Sequence, residues 1–196
     1  MKADRDFIRS RLLPLDSWAP PEARPGDHAP AAVLAGLIDR PEGFTVLLTL
    51  RTAHLRSHAG QIALPGGRAD PGERPWETAL REAWEEVGLD PALVRVAALA
   101  TPYRTLTGYH ISPVVGFVQP PPRFIPNPGE VAEVFEVPFA FLMDPANHER
   151  RHRDGPPGPS RWHWAITWGD KVIWGVTAGM VRGLYERLEA AHDARS

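Results

Sequence analysis

The sequence predicts an α+β fold or an α/β/α sandwich. Two observations carry this. Apolar runs of strand length are interspersed with stretches of helical period, but no regular strand–helix–strand repeat links them. Proline and glycine, 22 and 17 of 196 residues, punctuate the chain without forming low-complexity tracts. Such residues build fixed loops rather than linkers. The length suits one domain over 1–196, large enough to hold a core without a staple.

Residues 3–13 place Phe7, Ile8 and Leu12 at helical spacing and predict a short amphipathic helix. A Pro-rich loop follows over 19–30. AAVLAGLID at 31–39 is an apolar run suited to a buried strand, and FTVLLTL at 44–50 is β-branched and apolar, the next strand. The Gly pair at 66–67 and DPGE at 70–73 are read as chain breaks. A helix runs from Pro75 to Val87, with proline at its first position and Gly88 as its stop. Strands are expected at 93–101 and 111–118, with a turn at Thr107-Gly108 between them. After a rigid loop at 119–129, EVAEVFEVP at 130–138 alternates like a half-buried strand, and FAFLMD starts a short helix. A Pro/Gly loop at 153–161 leads to WHWAITW and KVIWG in strand style. A helix closes the chain at 176–192.

Lys and Arg number 22 against 24 Asp and Glu, a formal charge of −2. No global basic field marks a nucleic-acid partner. Cysteine is absent, which excludes disulfide scaffolds, thiolate metal sites and a cysteine nucleophile. The first residues lack the apolar core of a secretory signal, and no apolar run is long enough to cross a membrane. A cytoplasmic protein is the expectation. Oligomeric state is not legible.

The chemistry gathers on the helix at 75–87. Trp76, Leu80, Ala83 and Val87 fall on one stripe, read as the packing face. Glu82, Glu85 and Glu86 fall on the other side, at i, i+3 and i+4. Three carboxylates in one turn repel each other, and at a helix C-terminus they also oppose the macrodipole. A solvated face would offset this with pairs such as Arg81–Glu85 and Arg74–Glu77. A functional site would use the crowding, because clustered hard oxygens suit Mg²⁺ or Mn²⁺ and phosphate chemistry.

Gly67, Glu73, Arg81, Glu82, Glu85, Glu86 and Gly88 fill the seven fixed positions of a pattern, Gly-x5-Glu-x7-Arg-Glu-U-x-Glu-Glu-x-Gly-U, with U aliphatic. The stretch resembles the Nudix box. Leu89 suits the last U. Ala83 is small for the first, and Trp84 or Trp76 is expected to fill the space. The resemblance implies a Nudix-type α/β/α sandwich with a catalytic loop–helix–loop and extra terminal helices. It also implies hydrolysis of a nucleoside diphosphate linked to another moiety. Glu82 and Glu86 would be the main metal ligands, with Glu85 and the Gly66 carbonyl beside them. Arg81 and Glu73 would orient the carboxylates.

Upstream, LLTLRTAHLRSHAGQIALPGG at 47–67 carries Arg51, His54, Arg56 and His58 on a loop between two strands. Four potentially cationic groups in eight residues can hold phosphates, Arg bidentately. The stretch resembles the signature of the coenzyme A diphosphatase branch of the Nudix hydrolases. Thr52 replaces its Ser and Leu64 its Phe, while Leu47, Leu48, Thr49, Arg51, Arg56, Gly60, Pro65, Gly66 and Gly67 match. Segments 127–138 and 172–181 are also similar, so the likeness spans about 31–190, behind an N-terminal helix and Pro-rich loop at 1–30. It implies coenzyme A or a derivative as substrate, with Arg51, Arg56 and His58 on its phosphates. Glu85, Glu130 and Glu133 are open as the general base. Trp162, Trp164 and Phe124 line the pantetheine path or fill core. Hydrolysis of ADP-ribose or NADH, or an inactive Nudix-like binding module, are the competing readings.

Overall fold

The computed structural model describes residues 4–20, 28–55, 58–120, 122–153 and 161–193. Parts of the loops expected at 19–30 and 153–161, and Arg56 with its phosphate-binding role, lie outside the described residues. The helices are α1 (Arg5–Arg11), α2 (Pro75–Val87), α3 (Phe139–Leu142) and α4 (Val176–Asp193). The strands are β1 (Ala29–Arg40), β2 (Gly43–Arg51), β3 (Ile62–Ala63), β4 (Gly66–Arg68), β5 (Val94–Leu99), β6 (Tyr103–Arg104), β7 (Tyr109–Val118), β8 (Val131–Pro138), β9 (Glu149–Arg153), β10 (Arg161–Trp168) and β11 (Lys171–Trp174).

β1 is the spine. It pairs in parallel with β7 over ten positions, from Ala29↔Tyr109 to Ile38↔Val118. Its residues alternate between two cores. Ala32, Leu34 and Ile38 meet Ala79, Ala83 and Val87 of α2. Val33, Ala35 and Leu37 face a second core with Met180, Val181 and Leu184 of α4. A strand covered on both sides reads as a continuous apolar run, which is why 31–39 lacks alternation. The mixed sheet with helices on both faces is the expected α+β sandwich. Removing a side chain such as Leu34, 0% exposed, would cost about 2–5 kcal/mol.

The other edge of β1 has two partners. Leu37 to Arg40 pair with β2, while Ala31 to Val33 pair with β4. β2 in turn leaves β1 and pairs through Thr49 and Leu50 with β3. The two strands therefore fork, and the chain from 62 to 68 fills the fork. This corrects the reading of Gly66-Gly67 as a plain break: they form β4. A side chain on Gly66 would lie 2.3 Å from the Ala32 carbonyl oxygen, so only glycine permits this approach. A separate antiparallel sheet, β11-β10-β9, contains β9, which sequence reading did not anticipate. Among the described residues no helix is long and apolar enough to cross a membrane.

Candidate active site

α2 occupies the predicted span. Pro75 starts it, and Glu77 accepts from the Arg74 N–H at 2.8 Å. Gly88 ends it at φ 65°, donating to the Trp84 carbonyl. Both pairs foreseen on a solvated face form, Arg74–Glu77 and Arg81–Glu85. They do not exhaust the carboxylates.

Arg81 is a clasp. Its Nε and Nη2 donate to Glu73 at 2.8 and 3.0 Å. Its Nη1 reaches Glu82 at 2.8 Å and Glu85 at 3.2 Å, and Nη2 also reaches the Arg68 carbonyl. One side chain so ties the loop before α2 to the carboxylate-bearing face of the helix. The Arg81 guanidinium holds the Glu73 carboxyl down at about 2, helped by the Asp70 N–H and the Thr78 hydroxyl. Sequence reading missed Thr78; its only signal was a polar residue among buried positions of α2.

Glu86 overturns the reading that put all three carboxylates on an outer face. It is 3% exposed. Its carboxylate lies in the fork, taking Arg51 Nη1 on one oxygen and the Gly66 N–H on the other, both at 3.2 Å. Burial raises its pKa to about 7, against the pull of Arg51 and Gly66; Glu82 and Glu130 push it further up. Burial also raises that of Glu82, opposed by Arg81 and reinforced by Glu85 and Glu130. Glu82 lies flat on Gly67: a Cβ there would meet its carboxyl carbon at 2.5 Å. Trp84, offered as a filler beside Ala83, is instead 54% exposed; Trp76 packs, edge to face on Trp18. Ala83 is small because it lies directly on the sheet.

The remaining candidates separate. Glu130 is half-buried and its charge bears on both Glu82 and Glu86. Glu133 is bound to Lys171 Nζ at 2.6 Å. His58 is exposed and turns its ring to Gln61 Oε1 at 2.8 Å. Trp162 is 60% exposed on β10, Trp164 packs on the α4-side core, and Phe124 packs on the α2-side core.

Glu82, Glu85, Glu86 and Glu130 bring hard carboxylate oxygens to one region, with the charges of Glu85 and Glu130 felt at Glu82 and those of Glu82 and Glu130 at Glu86. Among the described residues no three of them converge as a finished cage. The set nevertheless fits a hard divalent cation. Two of its carboxyls are buried against like charges, which only a cation or a proton relieves. The ladder pairs Leu34 with Pro65 and Pro30 with Ala69 by hydrogen bonds, so by alternation the Gly66 carbonyl is not shared with β1.

A carboxylate-bearing helix clasped to a forked mixed sheet defines the class, and comparison agrees. The NUDIX domain matches residues 27–179. The chain belongs to the Nudix hydrolase family and is a pyrophosphohydrolase, and hydrolases of this family use divalent metal ions. It is 41% identical over 187 residues to the uncharacterized Nudix hydrolase NudL of Pectobacterium atrosepticum, covering 91% of each chain. Its identity to NudL of Yersinia pestis is 40% over 161 residues, 81% of this chain and 79% of that one. The MutT protein of Methanosarcina mazei shares the fold, with a TM-score of 0.55 at 19% identity, over 87% of this chain and 99% of that one.

Proposed function

We propose that the chain hydrolyses the pyrophosphate bond of coenzyme A or a derivative, with Mg²⁺ or Mn²⁺, to adenosine 3′,5′-bisphosphate and 4′-phosphopantetheine. The observation that carries this is the Arg51–Glu86 contact at 3.2 Å. It joins the 47–67 segment, which resembles the coenzyme A diphosphatase signature, to the buried carboxylate of the box.

Glu82, Glu86 and Glu85, with the Gly66 carbonyl, would hold the ion, whose chemistry is to neutralise diphosphate oxygens and lower the pKa of water. Arg81 fixes two of these carboxylates and so orients the donor set. Arg51, whose buried Nε has no partner among the described residues, has further N–H groups to offer a diphosphate oxygen. Glu130 is the general base: its charge bears on the carboxylate cluster and among the described residues no cation pairs with it, whereas Lys171 occupies Glu133. It takes the proton of the attacking water on its carboxylate.

The test is hydrolysis of coenzyme A, ADP-ribose and NADH side by side with each metal, products separated by chromatography. Preference for coenzyme A with release of the 3′-phosphorylated nucleotide supports the reading. Turnover of only the other two would leave the box chemistry and remove the substrate.

A further inference from the structure

The sheet face that α2 covers does not stop where the helix starts. Ala32 and Leu34 lie under α2, and Pro30 and His28 continue that side toward the beginning of β1. Parallel pairing sets His110 beside Pro30 and Ser112 beside Ala32. Arg104 pairs with His110. Residues paired across strands share a face, so Arg104, His110 and Ser112 stand together on the open stretch beyond the helix. His28 closes the group, with Nε2 3.1 Å from the Thr105 carbonyl oxygen. Leu13 and Trp18 wall the other side of a cleft of about 1290 Å³. A typical small-molecule site is about 300–1,000 Å³.

Three basic side chains meet here, and among the described residues none of them is ion-paired to a carboxylate. The Arg104 side chain is exposed and makes no ion pair or hydrogen bond among the described residues. His110 has its pKa lowered by burial, and then by Arg104 and His28. The acids on the far wall are engaged elsewhere: Glu73 takes two bonds from Arg81, and Asp70 lies 3.9 Å from Arg81 Nε. An anion is the missing partner. The cleft also borders the carboxylate cluster. Ala32 pairs with Gly67, on which Glu82 lies. His110 is two residues along and two strands across from Gly67, about 12 Å by strand rise and spacing.

We propose that this cleft binds the nucleoside end of the substrate, with a ribose phosphomonoester held by Arg104, His110 and His28 and the base against Trp18. This rests on the coenzyme A reading, in which that ester is the 3′-phosphate.

Calorimetry on the full chain in EDTA, with adenosine 3′,5′-bisphosphate, AMP and inorganic phosphate as probes, tests it apart from turnover. The bisphosphate should bind about tenfold tighter than AMP, the worth of one charge-assisted contact. Arg104→Gln, at an exposed position, and His110→Asn should each remove most of that margin and leave AMP binding unchanged. Equal binding of bisphosphate and AMP, an intact margin in both variants, or free phosphate binding as well as the bisphosphate would overturn the proposal. A margin without coenzyme A hydrolysis keeps the cleft and removes the substrate reading. Hydrolysis without a margin does the reverse.

Discussion

Glu86→Gln should inactivate the enzyme and stabilise it. Glu86 is 3% exposed, and burial among like charges lifts its pKa to about 7 from an ordinary 4.5. A carboxyl raised in the folded state contributes its full stability below the unfolded pKa. That contribution is lost as pH rises through the folded pKa. Without metal, the protein therefore weakens between about pH 4.5 and pH 7. The gap corresponds to about 3 kcal/mol at pH 8. Glutamine keeps the shape and carries no charge to desolvate; like the protonated acid it has one good acceptor oxygen, so it keeps the bond from Arg51 or from Gly66 but not both. Urea unfolding in EDTA, followed by tryptophan fluorescence, should show the variant about 2–3 kcal/mol more stable at pH 8, with the difference vanishing near pH 4.5. Turnover at saturating Mg²⁺ should disappear. A variant no more stable at pH 8, or a difference independent of pH, would refute the burial argument. Near-normal turnover would refute the metal assignment.

Other substitutions probe the rest of the site. Arg51→Gln removes a cation 3.2 Å from Glu86, so Mn²⁺ binding without substrate, read by electron paramagnetic resonance at pH 8.5, should tighten several-fold while KM for substrate rises. Gly67→Ala puts a methyl 2.5 Å from the Glu82 carboxyl carbon; kcat should fall at least about tenfold through lost ligand geometry, with the melting temperature little changed. Glu130→Gln should lower kcat by about 10²-fold and abolish the acid limb of the pH–rate profile, as loss of a general base does. Glu133→Gln should do neither, and equal effects of the two would reject the assignment of the base.

How much of this was legible differs by element. α2 was readable to the residue, because Pro75 and Gly88 mark its ends chemically. β1 and β7 were readable because burial on both faces demands unbroken apolar runs. β9 was not, because ERRHR holds no apolar residue and takes its place only by pairing with β10. β4 was hidden because two glycines carry no strand signal, and their reason lies in the approach of Ala32 and Glu82. The seven box residues were legible through their resemblance to the Nudix box, whereas helical spacing alone singled out Glu82, Glu85 and Glu86. The burial of Glu86 was not, since helical periodicity places it on the polar side and the partner that draws it inward, Arg51, is 35 residues away. The cleft at Arg104 and His110 left no mark in the sequence, since β6 is two residues long and its companions come from three distant segments.

The fork between β1 and β2 makes the distance between cation and carboxylate a matter of angle. Arg51 stands at the tip of one arm, and Gly66 lies against the other. In the crotch sits Leu64, 4% exposed, beside a void of about 20 Å³ shared with Ala35, Val46 and Met143. The aliphatic side chain acts as a shim, where related sequences of the resembled branch carry a phenyl ring. The reach of the arginine is thus tunable from behind, by apolar volume alone, in a protein whose polar residues all stay the same.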